Sequence, residues 1–204
     1  MEPAAAPLPD PADVDPVVVA RPEHRIRWPN DITLDGDGGF YFTESLREEG
    51  AVIHVAAAGS ARVVARDIDF ANGLALTTDG RRLLVAESYR NRILAVDLDG
   101  PGIAADQPAS FADLPSHPDP EGTAVPDGVA FDAAGRLWVA HYGMQALRVL
   151  AADGTLLATY DSGIPLTSNL CFAEGSIYVT GGAGTPGPGL LTRLDVGVPG
   201  ALRR

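Results

Sequence analysis

The amino-acid sequence predicts an all-β fold of the β-propeller kind, with about four blades present in the chain. Three observations carry that expectation. Amphipathic helical periodicity is scarce; short apolar and β-branched runs alternate with Gly, Asp and Pro punctuation; and one two-strand pattern recurs four times.

The recurring segments are NDITLDGDGGFYFTES from Asn30, NGLALTTDGRRLLVAES from Asn72, DGVAFDAAGRLWVAHY from Asp127 and SNLCFAEGSIYVTGG from Ser168. Each opens on a polar residue, runs through a short apolar strand, turns at an Asp/Gly tract and returns as a second strand. A second hairpin lies between copies, in AVIHVAAAGSARVVA, RILAVDLDGPG and LRVLAADGTLLATY. Two hairpins make a four-stranded unit, and units repeating every ~40 to 55 residues match the period of propeller blades. The extra length between Pro101 and Pro126 reads as an insertion in the outer strands and the crossover to the next blade. A β-sandwich also has many short strands, but it needs no common polar residue at the opening of every unit. Ahead of the repeats, residues 1–16 are rich in Pro and Ala and are expected to form a disordered lead-in, leaving 17–204 as the propeller domain.

Composition narrows the function. The 204 residues carry 27 acidic and 15 basic side chains, a formal charge of −12, and every basic residue is arginine. Without lysine there is no Schiff-base chemistry and no phosphate-binding P-loop. An acidic chain repels phosphate backbones, which argues against nucleic acid as a partner and suits a hard cation or a neutral small molecule. Cys171 is the single cysteine, excluding an internal disulfide or a thiolate cluster, and the apolar run Leu170-Cys171-Phe172 predicts that it is buried. The N-terminus lacks the charged and apolar regions of a signal peptide, and no stretch is long enough to span a bilayer. The expectation is therefore a cytoplasmic protein without a membrane partner; oligomeric state stays open. Gly182 to Gly187 match G-x-G-x-x-G, but Pro186 and Pro188 prevent the helix that a dinucleotide site requires.

In a propeller the innermost strands line a central channel. The openers Asn30, Asn72, Asp127 and Ser168 are thus expected at one height around the axis. The second strands run back to the same end, placing Glu44-Ser45, Glu87-Ser88 and His141-Tyr142 next to them. Carboxylate and amide oxygens suit Ca²⁺ or Mg²⁺ better than structural zinc. The competing reading is that Asn and Asp merely cap the loop before each strand.

Trp28-Pro29-Asn30-Asp31, Ala71-Asn72-Gly73-Leu74, Pro126-Asp127-Gly128 and Thr167-Ser168-Asn169 resemble successive blade motifs of the regucalcin/gluconolactonase (senescence marker protein, LRE-like) family. The ending GLLTRLDVGVPG is similar to that family's C-terminus. The resemblance implies a six-bladed type of propeller with a divalent cation on its axis, acting as a hydrolase on a sugar lactone or similar cyclic ester. It makes Asn72 and Asp127 metal ligands, with Asn30 near the metal and the substrate, and Asp127 also the general base. Ca²⁺ leads the implied cofactors, with Zn²⁺, Mn²⁺ and Mg²⁺ open. Ser168 and His141 join as candidate substrate contacts from their places in the ring, and an acidic family contact falls on Glu49 or its neighbour Glu48. Departures accompany these matches. No segment matches the family's N-terminal blade or its glutamate ligand, and Trp28 stands where the family commonly has arginine, with Arg27 one residue off. Six blades at ~45 residues would need about 270. The alternative function is a non-catalytic or degenerate propeller, serving as a ligand-binding or interaction scaffold.

Overall fold

The computed structural model describes residues 26–201, so the expected lead-in lies outside the described residues. Four antiparallel sheets follow one another in chain order. The first comprises β1 (Pro29–Leu34), β2 (Phe40–Glu44), β3 (Gly50–Val55) and β4 (Ala61–Ile68). The second comprises β5 (Ala71–Leu76), β6 (Arg82–Glu87), β7 (Arg92–Gly100), β8 (Ile103–Ala104) and β9 (Ala109–Asp113). Here the long β7 pairs with β9 along its first half and with β8 along its second, so the expected insertion is a split outer strand. The third sheet is β10 (Val125–Phe131), β11 (Leu137–Tyr142), β12 (Ala146–Leu150) and β13 (Leu156–Asp161), and the fourth has three strands, β14 (Leu166–Ala173), β15 (Ser176–Gly182) and β16 (Gly189–Asp195). This is the four-blade propeller arrangement that the repeat predicts. No helix among the described residues is long and apolar enough to cross a membrane.

The inner hairpins close through the Asp/Gly tracts. Asp35 accepts the backbone N–H groups of Asp37 and Gly39, both at 2.8 Å, and Asp132 does the same for Ala134 and Arg136. Such carboxylate-capped turns leave the left-handed position to glycine, as at Gly135 with φ +77°.

Strand alternation supplies two cores from one sheet. On β6, Leu83 and Val85 point into the first blade, against Tyr41, Val52 and Ile68. Leu84 and Ala86 point the other way, against Val129, Leu137 and Val139 of the third blade. Trp138, Leu147 and Val149 meet Leu170, Ile177 and Val179 of the fourth. A strand buried on both faces reads as a continuous apolar run, which is why RLLVAE and LWVAHY carry no polar alternation. Cys171 corrects one expectation: it is exposed, not buried. Leu170 and Phe172 turn toward the third blade, and the period of two puts Cys171 opposite Tyr178 on the other face of β14.

The inner strands touch in order, β1 on β5, β5 on β10 and β10 on β14. They surround a cavity of ≈ 740 Å³ lined by Asp31, Leu74, Val129, Leu170 and their neighbours. The chain after β16 turns back beneath it, where Gly200 bridges to Asp132.

Candidate functional site

Each inner strand starts with an irregularity in its pairing, between Pro29 and Ile32, Ala71 and Leu74, Pro126 and Val129, and Thr167 and Asn169. These four β-bulges fall on the openers Asn30, Asn72, Asp127 and Ser168. A bulge inserts an extra residue and re-aims its side chain, so the repeat carries a local device that turns one polar group out of the ladder in every blade. Glycine follows the opener where blades come closest: a Cβ at Gly73 would collide with the Asp127 carbonyl oxygen, and one at Gly128 with Asn169 Oδ1.

Asp127 lies where three blades meet. Ser168 Oγ of the fourth blade donates to its Oδ2 at 2.7 Å, and the Asn72 amide of the second blade also bonds its carboxylate. Burial pushes its pKa up to about 6; those two hydrogen bonds oppose the rise and the nearby Asp31 charge adds to it. Among the described residues no cationic side chain pairs with it. The structure thus brings Asn72, Asp127 and Ser168 into one bonded group.

Asn30 and Asn72 are held alike. Asn30 Nδ2 donates to Ser45 Oγ at 2.9 Å, and Ser45 Oγ donates to the carbonyl of Ala71 at 2.5 Å. Asn72 Nδ2 donates to Ser88 Oγ at 3.2 Å, and Ser88 Oγ donates to the carbonyl of Pro126 at 2.7 Å. In both cases the serine follows the β-strand glutamate, Glu44 or Glu87, and the carbonyl precedes the next blade's opener. Asn30 is exposed and Asn72 is buried.

The remaining candidates sit apart from this group. Glu49 is on the connection from β2 to β3, on the same end of the blades, and its carboxylate pairs with Arg27 at 2.8 Å. His141 is wholly buried. Its Nδ1 accepts from Arg148 Nε at 3.1 Å, so its Nε2 carries the proton donated to Asn91 Oδ1 at 2.8 Å. Asn91 in turn donates to the carbonyls of Leu114 and Pro115. Burial, and then the Arg148 charge, pull the His141 pKa down to about 3, so the ring is neutral and both nitrogens are engaged in bracing the crossover.

Asp31 is absent from the sequence-based candidates. It accepts the Leu74 N–H at 2.9 Å across the gap between blades, and burial raises its pKa. The available signal was its position: it follows Asn30 where the second and third repeats have glycine.

A family model described as the SMP-30/gluconolactonase/LRE-like region matches residues 9–182. Lactonase drp35 from Staphylococcus saprophyticus is 31% identical over 179 residues, covering 76% of this chain and 52% of its own length. The chain spans about half the length of such curated relatives. A calcium-binding protein, regucalcin, from Agrobacterium tumefaciens has the same fold, with a TM-score of 0.72 at 24% identity over 86% of this chain and 63% of that one. A gluconolactonase from Xanthomonas campestris gives a TM-score of 0.65 at 25% identity, over 87% and 61%.

Proposed function

The chain belongs to the SMP-30/gluconolactonase/LRE-like family, and from that premise we propose that it hydrolyses a sugar lactone or similar cyclic ester with a divalent cation held by Asn30, Asn72 and Asp127. The observation that carries the reading is Asp127: a desolvated carboxylate at the meeting of three blades, bonded by an amide and a hydroxyl, with no cationic side chain among the described residues to balance it. Among the described residues no three His, Cys, Asp or Glu side chains gather. One carboxylate with amide oxygens is a hard, weakly charged donor set, which fits Ca²⁺ or Mg²⁺ better than a thiophilic ion. A bound ion supplies Lewis-acid polarisation of the ester carbonyl.

The protein groups supply the rest. Asp127 takes the proton of the attacking water as its oxygen bonds the carbonyl carbon. The ring oxygen leaves, receives that proton, and the product is an open hydroxy acid. Ser168 holds the carboxylate for this transfer, and Asn30, exposed on the first blade, meets substrate hydroxyls. Glu49, tied to Arg27, flanks the entrance.

The test is hydrolysis of gluconolactone by the full chain at pH 7, followed in a pH-stat, with Ca²⁺, Mg²⁺, Mn²⁺ or Zn²⁺ and with EDTA. EDTA and Asp127→Asn should each lower the rate about 100-fold or more, toward the uncatalysed background. Equal rates under all conditions would support the non-catalytic propeller instead.

A further inference from the structure

We propose that Ser45 and Ser88 are positioning residues that fix the amides of Asn30 and Asn72 with the oxygen turned to the opening and the nitrogen turned away from it. The inference rests on the reading of those asparagines as ligands, because a ligand role gives amide orientation its chemical consequence.

A proton count establishes the direction. A serine hydroxyl has one hydrogen, and a carbonyl oxygen can only accept. Ser88 gives its hydrogen to the Pro126 carbonyl, so its contact with Asn72 is an N–H donated by the amide. Ser45, the Ala71 carbonyl and Asn30 repeat the arrangement one blade earlier. The Asn72 amide also bonds the Asp127 carboxylate, which can only accept when ionised. Among the described residues no donor bonds Oδ1 of either asparagine; Asn30 is exposed, and Asn72 Oδ1 is not a buried atom, because no buried side-chain polar atom there lacks a partner, so both oxygens reach open space.

The other two blades supply the contrast. Strand register pairs Pro29 with Glu44, Ala71 with Glu87, Pro126 with His141 and Thr167 with Gly181. The positions equivalent to Ser45 and Ser88 are therefore Tyr142 and Gly182. Those blades open on Asp127, whose two oxygens are chemically equivalent, and on Ser168, whose single hydroxyl turns its hydrogen to its partner, here Asp127 Oδ2. Serine stands in the two blades where a side chain has a wrong way round. Because each serine also holds the carbonyl preceding the next opener, the orientation of one amide is coupled to the placement of the next blade's ligand.

The experiment uses the full chain labelled with ¹⁵N-asparagine, in EDTA, with the Asn30 and Asn72 side-chain NH₂ signals assigned by Asn→Asp substitution. Ser88→Ala should shift or broaden the Asn72 pair and spare that of Asn30; Ser45→Ala should do the reverse; Ser88→Thr, which keeps the hydroxyl, should restore the Asn72 signals. Signals unmoved by either alanine would overturn the inference. A second arm titrates Ca²⁺ by calorimetry. Ser88→Ala should weaken binding about tenfold in the Asn72 background, as loss of a ligand-orienting bond does. It should cost nothing further on top of Asn72→Asp, whose carboxylate needs no orienting. An equal loss in both backgrounds would mean a merely structural serine and overturn the proposal. If the unaltered chain binds no Ca²⁺, the metal reading of the site fails, and the NH₂ signals still decide the orientation.

Discussion

Replacing Asp127 with asparagine removes a charge that the folded chain holds at a cost, and the size of that cost follows from the site. The carboxyl has its ordinary pKa near 3.8 in the unfolded chain and about 6 in the folded one, where burial outweighs the bonds from Ser168 and Asn72. Between those values the unfolded chain releases the proton while the folded chain keeps it. Stability therefore falls as pH rises through that window, by about 3 kcal/mol in full. Asparagine keeps an oxygen for Ser168 and has no proton to lose. In EDTA, Asp127→Asn should match the parent chain near pH 4 and exceed it by about 3 kcal/mol above pH 7. The assay is urea unfolding of both chains at several pH values. The difference between them is the informative quantity, because His141 acts in the opposite sense. Its pKa of about 3 in the folded chain, against an ordinary 6.5, makes stability fall as pH drops from 6.5 toward 3 in both proteins. Saturating Ca²⁺ should narrow or reverse the gap by binding the folded parent alone. A difference independent of pH would refute the desolvation argument for Asp127.

Three other perturbations test the frame around the site. Gly73→Ala drives a Cβ into the Asp127 carbonyl and to 2.9 Å from Val129 N; calorimetric melting should show a loss of about 2 kcal/mol, and an unchanged Tm would mean that the second and third blades pack less closely than described. Asp132→Ala strips the acceptor used by Ala134 N, Arg136 N, Arg136 Nε and Trp138 Nε1. Burial alone would raise the Asp132 pKa, but these partners hold it below the ordinary value; urea unfolding should show a deficit of about 3 kcal/mol at pH 7 that shrinks as pH falls below about 4. Cys171 is exposed, so Ellman's reagent should titrate one thiol in the native chain without denaturant; reaction only after unfolding would place it in the core.

The fold was legible because two periods coincide in the sequence. The period of two inside each strand and the longer repeat of the openers both survive in the structure, down to the split outer strand between Gly100 and Asp113. What the sequence leaves out is direction. LCF reads as apolar on both faces, yet only Leu170 and Phe172 meet another blade. His141 occupies the strand end nearest the opening, but its orientation is set by Arg148, seven residues on, and by Asn91 in the preceding blade. Those partners lie on β12 and in the turn before β7 and carry no local pattern. Asp31 was hidden for a related reason: its bond to Leu74 N spans 43 residues and appears only once the blades are stacked. The bulges were half visible, as glycines after Asn72 and Asp127.

Stacked repeats deliver the same backbone position to one axis several times, and a site needs those positions to differ. Two of the places that differ are the opener and the position just beyond the register partner of the residue before it. Asn with Ser occurs twice, Asp with Tyr once, and Ser with Gly once. Each pairing has a bonding logic: an amide has two unlike ends and receives a hydroxyl that selects one; a carboxylate has two like ends and receives bonds from the blades on either side. The symmetric scaffold thereby sets a single carboxylate among the four openers. Moving that charge one blade back, by exchanging Asn72 and Asp127, would preserve the composition of the ring but not its bonding. The new carboxylate would meet Ser88, whose one hydrogen already goes to the Pro126 carbonyl, and the new amide would have its oxygen taken by the Ser168 hydroxyl. A doubly exchanged chain should therefore retain its fold by circular dichroism and bind Ca²⁺ about tenfold more weakly than the parent. Equal affinity would show that the ring's oxygens alone, and not their fixed orientations, make the site.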